Sequence, residues 1–482
     1  MSPLRTTPTT LPTVRAIRCW GLAMLVAAGV GPAWGQSVQC HVNYGGEDRL
    51  ITAAPTQHPL QAPAAEIGSY FLFRVVNTLG SPQPSVKVYT YASQASGPVP
   101  IHQATHTATQ VHVPGTPVHG FTGLQRVYEP VRDGELTYWC ERAHPVSPRS
   151  RRAVTPATAD TTNQGPLATA SPLPPLGAPG TLRLLFAGDV MLADGPGKVI
   201  AEGRDPLAPF AALLREADYT IGNLELPIAT VGQPLENKIY SFRAPPEVLH
   251  VLQGRFNALA LANNHSGDYG QAAFLQTMQY LDAAGLAHFG GGHDLSEAHR
   301  PLWVERQGLR VAVLAYNEFK PRSFAAGPTW PGVAWSEDDR VVADIRAARA
   351  AGADLVIPFM HWGWERERQP TQRQRDLARR MIDAGADVVV GGHPHVTQGA
   401  DLYRGKLIVY SLGNFVFDGF EDVPGGQTGW LLRLALGKHG LLAWDTLAAQ
   451  MDSEGIPHPS PGVATPCGRM RPVAQITLCA NP

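Results

Sequence analysis

What the chain has little of narrows its class first. It carries no excess of charge: 39 Lys and Arg stand against 40 Asp and Glu in 482 residues, a formal net charge of −1. So balanced a chain exerts no broad pull on nucleic acid or on an anionic membrane, and whatever it binds is held by a local site. Long apolar runs are scarce too. The run 21–30 falls short of the roughly 20 residues that a bilayer span requires, and nothing later reaches that length. Arg5, Arg15 and Arg18 precede this run and the small residues Ala33 and Gly35 follow it, which predicts a secretory signal peptide over 1–35 and a mature chain starting at Gln36. The expectation is an exported protein, periplasmic or extracellular, with no stable membrane span after cleavage; an uncleaved anchor is the alternative.

Cysteine is sparse, five in all and none at metal-ligand spacing. Cys19 falls in the leader, which leaves Cys40, Cys140, Cys467 and Cys479 in an oxidising compartment. Of the three possible connectivities, Cys40 with Cys140 and Cys467 with Cys479 is favoured, because each pair closes one locally coherent segment.

Composition then divides the chain. From 36 to 143, short β-branched and aromatic runs at 69–76, 85–93, 111–113 and 136–140 lie between turn residues and predict a small all-β domain, a sandwich. His102, His106 and His112 could share one strand face, but Pro114 and Pro117 interrupt it, and histidines exposed on an edge are the plainer reading. From 144 to 180 Pro, Ala, Thr and Ser dominate, a linker expected to tether two domains in a mobile, semi-extended state. The main domain is expected over 181–438. A C-terminal extension follows over 439–482, with a strand at 441–444 and a proline-rich loop closed by the last two cysteines.

Within 181–438 one grammar repeats: an apolar strand, a polar or glycine-containing turn, then apolar residues at helical spacing, as at 269–284, 339–351 and 372–384. This is an α/β pattern. Each strand delivers a polar residue at its end: Asp189 after 182–187, Glu225 after 219–224, Asn264 and His265 after 258–262, His361 after 355–360, His393 and His395 after 388–390. Strand ends of an open α/β sheet gather at one edge, so these distant segments can build one pocket. The histidine pair is the densest part of it. In an extended segment residues two apart share a face, and Pro394 biases His393 toward extended geometry, so both imidazoles are expected to converge on one point, oriented by Asn414 and Gln398. A mixed oxygen and nitrogen set of this size suits two divalent ions that share a carboxylate.

The motifs GDVM (188–191), GNLE (222–225), ANNHSGDYG (262–270), HWG (361–363), GGHPHVTQG (391–399) and YSLGNFVFD (410–418) together resemble the CapA-type capsule and poly-γ-glutamate synthesis proteins, a branch of the calcineurin-like metallophosphoesterase superfamily. The resemblance covers roughly 182–437. It implies a four-layer α/β/β/α sandwich and a dinuclear centre of Mn, Fe or Zn. Asp189 and His395 would hold one ion, Asn264, His361 and His393 the other, and Glu225 would bridge. His265 would be a leaving-group acid oriented by Asp268. Two departures stand out: the superfamily pattern Asp-x-His is here Asp189 and Met191, and the bridging aspartate is Glu225. A thioether is a poor ligand for a hard divalent ion. Two readings stay open, a metal-dependent hydrolase acting on a phosphoester or γ-glutamyl polymer, and a non-catalytic accessory that binds or exports polymer. The implied partners are an anionic extracellular polymer or its precursor and the capsule-assembly machinery.

Overall fold

The computed structural model describes residues 36–44, 47–67, 71–79, 85–92, 98–107, 119–129, 134–143, 171–236, 238, 240–319, 321–470 and 473–481. The expected leader, the strand at 111–113, His112 and residues 144–170 of the expected linker lie outside them.

Two sheets form the centre of the chain beyond residue 181. The first has ten strands, with Ala287–Phe289, Ala258–Ala260, Tyr219–Leu224, Leu182–Val190, Thr428–Gly437 and Gly440–Met451 side by side in that order. The second has six, ordered Leu302–Arg306, Leu309–Asn317, Leu355–His361, Val388–Gly392, Lys406–Leu412 and Thr397–Tyr403. Their facing sides share one apolar core in which Leu184, Phe186 and Ile221 meet Val313, Ile357, Phe359 and Val390. Helix Gly270–Ala283 packs Phe274, Met278 and Leu281 on the outer side of the first sheet. Helices Asp338–Ala350 and Gln372–Ala384 cover the second sheet through Val341, Ile345, Leu377 and Met381. This is the four-layer α/β/β/α sandwich expected.

Local chemistry explains why these segments form where they do. Strand Val388–Gly392 is buried along its whole length, which is why it reads as an unbroken apolar run rather than an alternating one. Helix Gln372–Ala384 starts on a capping box between Thr371 and Gln374 and stops at Gly385, whose φ of 120° suits only glycine. The expected helix at 269–284 is one residue shorter at each end, Gly270–Ala283, and that at 339–351 is shifted by one, to Asp338–Ala350. Strand Leu182–Val190 runs past its apolar core, so Asp189 sits within the strand rather than after it.

The tail differs from expectation. The strand expected at 441–444 is present but longer, Gly440–Met451, and what was expected to be only a proline-rich loop after it contains two further strands, Ala464–Arg469 and Thr477–Ala480, that extend the same sheet. Cys467 and Cys479 form a disulfide that cross-links those last two strands.

The N-terminal unit is a four-stranded sheet and a five-stranded sheet around one core, which includes Val42, Phe71, Phe73, Val88 and Tyr138. Cys40 and Cys140 face each other on neighbouring antiparallel strands and are bonded, so both expected disulfides are present. The expectation of a freely tethered unit fails. Tyr44 stacks on Trp364 with ring centroids 5.1 Å apart, Arg49 pairs with Glu367 at 3.0 Å, and Phe319 and Trp364 belong to the N-terminal core. The apolar area buried at this seam opposes free tumbling whatever the linker composition. His102 and His106 lie half-buried on the edge strand Val99–Thr107, with His102 Nε2 2.8 Å from the Tyr138 hydroxyl.

Candidate metal centre

Six strand ends and turns meet above the carboxyl edges of the two sheets. Asp189 is fixed there by backbone pairing: its N–H donates to Gly413 O at 3.1 Å, while Glu225 N–H donates to Val190 O at 3.0 Å. Gly392 allows close approach, since a Cβ at that position would lie 2.9 Å from Asp189 Oδ1. The His393 N–H then donates to Asp189 Oδ2 at 3.2 Å.

Asp189, Glu225, Asn264, His361, His393 and His395 are all buried and converge. Their donor atoms form two groups, Glu225 with His361 and His393, and Asp189 with Glu225 and His395, so Glu225 belongs to both. In the first group His361 Nε2 lies 2.7 Å from Asn264 Oδ1, 3.0 Å from His393 Nδ1 and 3.4 Å from Glu225 Oε1. In the second His395 Nε2 lies 3.7 Å from Glu225 Oε1, and His395 Nδ1 lies 3.7 Å from Asp189 Oδ2. Donor atoms about 3 Å apart are what an ion bound at roughly 2.1 Å imposes on its ligands. Glu225 Oε1, fully buried, accepts no hydrogen bond although two imidazole nitrogens face it. A buried carboxylate oxygen in that position is costly unless a cation meets it, so the residues present fit divalent ions.

The electrostatics agree. Burial pushes Asp189 up to about 6, with the Glu225 carboxylate adding to it, and burial raises Glu225 as well. His361 is lowered to about 4 by burial. Burial also works against the charged form of His395, but the Glu225 and Asp189 carboxylates outweigh it and raise its pKa. Two ionisable carboxylates enclosed this way favour added positive charge.

The histidine pair meets by a different backbone route from the one expected. His393 has φ 95° and His395 φ 56°, so the segment is not extended. The strand ends at Gly392, and the chain reverses above the sheet edge; this turn overrides the preference that Pro394 imposes. Asn414 orients one ring as expected: its Oδ1 lies 2.8 Å from His395 Nδ1, which therefore carries the proton and leaves Nε2 turned toward Glu225. Gln398 does not. Its amide donates to Glu367 O at 2.7 Å and its oxygen accepts from Gln374, away from both rings.

His265 lies beside Asn264, and its Nδ1–H donates to Asp268 Oδ2 at 2.7 Å. Burial lowers its pKa against the pull of Asp268. Met191 is fully buried, and its sulfur accepts from the Ala193 N–H at 3.1 Å; it joins neither donor group. Three contributors escaped sequence reasoning. Asn223 donates to Asp189 Oδ1 at 2.8 Å; as the residue two before Glu225 in a strand it shares that face, a signal that was available. Lys238 pairs with Asp268 and donates to Asn264 O at 2.8 Å, but it arrives from an aperiodic loop. Phe319 packs on His393 from just beyond the end of strand Leu309–Asn317, two strands away in the same sheet.

The model of the bacterial capsule synthesis protein family PGA_cap matches residues 183–419, the span that carries every one of these donors. A protein of Mycobacterium tuberculosis named as a probable polyglutamine synthesis accessory protein is 31% identical over 299 residues, a stretch that covers 52% of this chain and 78% of that one. The chain belongs to the PGA_cap family. Two further proteins are similar to it, the PGA biosynthesis protein CapA of Bacillus subtilis, 35% identical over 242 residues, and the capsule biosynthesis protein CapA of Bacillus anthracis, 33% over 249. Each match takes in 49% of this chain, and it spans 63% and 60% of those relatives, less than two thirds of their length. The N-terminal β unit precedes the PGA_cap match altogether.

Proposed function

We propose that this chain is an exported component of capsule or poly-γ-glutamate synthesis that acts as a metal-dependent hydrolase on a phosphoester or γ-glutamyl bond of an anionic polymer or its precursor. The division into leader 1–35, β domain 36–143, linker 144–180, main domain 181–438 and extension 439–482 is part of that reading. The two disulfides favour an oxidising compartment, and among the described residues no helix is long and apolar enough to cross a membrane.

One observation carries the proposal: two three-residue donor groups that share the buried Glu225. Asp189, Glu225 and His395 would hold one ion and Asn264, His361, His393 and Glu225 the other. Two divalent ions supply positive charge that polarises the attacked group and acidifies water. The chain's own residues do the rest. Asn414 and Asn223 hold ligands in place; Asp268, gripped by Lys238 and by the Phe242 N–H at 2.8 Å, accepts the His265 Nδ1–H and fixes the ring so that Nε2 is the atom left to take up a proton from water and pass it to a leaving group. Phe242, Phe417 and Phe420 pack on the rings of His265 and His395 and exclude water.

Elemental analysis of the purified mature chain, dialysed without chelator, tests this reading. About two equivalents of Mn, Fe or Zn, with turnover of phosphoester or γ-glutamyl substrates, are expected. Less than about half an equivalent after metal loading overturns it. A second reading, a non-catalytic polymer-handling accessory, is favoured by Met191, which turns its sulfur to the backbone where the superfamily pattern carries a ligand.

A further inference from the structure

The outer face of the five-stranded N-terminal sheet carries chemistry that the metal centre does not use. On strands Phe71–Thr78 and Ser85–Ala92, residues Phe71, Phe73, Val86 and Val88 turn into the core. Those of opposite parity turn outward. Cross-strand register sets Arg74 opposite Tyr89, and sets Lys87 and Ser85 opposite Thr105 and Thr107 of the next strand. A cleft of about 520 Å³ lies over these three strands, walled by Pro59 and by Leu60, which is 91% exposed.

Among the described residues its lining holds two cations, Arg74 and Lys87, and five hydroxyls, with no carboxylate. Elsewhere in the same unit guanidiniums are neutralised: Arg49 pairs with Glu367 and Arg126 with Glu135. Neither Arg74 nor Lys87 has a carboxylate partner among the described residues. Arg74 is nonetheless held rigid, since Nε donates to Ala62 O at 2.8 Å and Nη2 to Pro59 O at 2.6 Å. A fixed guanidinium and an unpaired ammonium, set among hydroxyls in an open groove, suit a ligand with repeated anionic groups.

We propose that this cleft binds an extended polycarboxylate chain, holding it on the protein while the metal centre acts. The proposal rests on the polymer reading of that centre. Successive carboxylates meet Arg74 and Lys87, and the hydroxyls serve backbone amides between them. The absence of any lining acid removes the repulsion that would expel such a chain.

The test is fluorescence anisotropy with labelled poly-γ-glutamate on the whole mature chain at low and at physiological salt. Lys87→Glu is expected to weaken binding about tenfold or more, with the loss shrinking as salt rises, while Arg126→Gln leaves binding unchanged. Circular dichroism confirms that each variant is folded, and Lys87→Gln, with an intermediate loss, repeats the result without charge reversal. Equal binding by wild type and Lys87→Glu overturns the proposal, as does equal binding of neutral dextran or of polyphosphate of the same length. Turnover is measured separately. Lys87-dependent binding without turnover keeps the cleft and defeats the hydrolase reading; turnover with binding indifferent to Lys87 does the reverse.

Discussion

The ring of Phe319 lies 4.0 Å from that of His393, while Phe319 itself belongs to the buried core of the N-terminal unit. A second route runs through the loop after His361. Trp364 stacks on Tyr44, Glu367 pairs with Arg49, and the Arg366 N–H donates to Pro394 O, between the two histidines, at 2.8 Å. Both histidines sit at positive φ, a conformation that persists only where surrounding contacts impose it.

Trp364→Ala is therefore expected to cost about 3–5 kcal/mol of stability and to weaken metal binding at least about tenfold, while Trp364→Phe recovers most of both. Thermal melts with and without metal, together with titration by Mn or Zn, check this. Metal affinity unchanged in a folded Trp364→Ala would show that the seam does not support the histidine turn.

His265→Ala should lower turnover about 10²- to 10⁴-fold and leave metal content unchanged, because the ring acts on a proton and does not belong to either donor group. Steady-state rates paired with elemental analysis read the two effects apart. Activity equal to wild type excludes His265 as the acid.

Asn414→Ala should weaken metal binding about 10- to 100-fold, since it frees the ring of His395, whereas Gln398→Ala should not alter ligand orientation directly. Comparison of the two variants by metal titration separates orientation from general loosening.

The sheet strands, the three long helices and the donor positions were legible because each is local: buried strands read as apolar runs, helices as a 3.6-residue period, and Asp189, Glu225, Asn264 and His361 follow such runs directly. The turn at His393 and His395 was not, because the sheet edge and the Phe319 contact decide it, and Pro394 alone argues the other way. Gln398 is near His395 in sequence yet faces Gln374, a partner supplied by a helix. Docking of the β unit was hidden for the same reason: Tyr44 and Trp364 lie in separate segments with no shared pattern.

Acid should reveal the junction of the two helices on the second sheet. Arg373 and Arg380 both pair with Asp338; burial alone would raise its pKa, but the Arg373 hydrogen bonds outweigh that and hold it below the usual value. A depressed carboxylate contributes stability above its unfolded pKa and loses it as pH falls through the folded one. Asp338→Asn should thus cost about 1 kcal/mol at pH 7, and the difference should begin to shrink below the ordinary carboxylate pKa of about 4 and close only beneath the lowered folded one. Urea melts at pH 7 and pH 3 measure it, and a gap as large at pH 3 as at pH 7 refutes the assignment.

Strand Leu182–Val190, which carries Asp189, pairs with Tyr219–Leu224 on one side and with Thr428–Gly437 on the other. The second neighbour arrives only after every other residue proposed to hold metal has been synthesised. The centre is thus among the last features the polypeptide can complete, and its ions are expected to enter a finished chain rather than a growing one, so the surroundings in which folding ends select the metal.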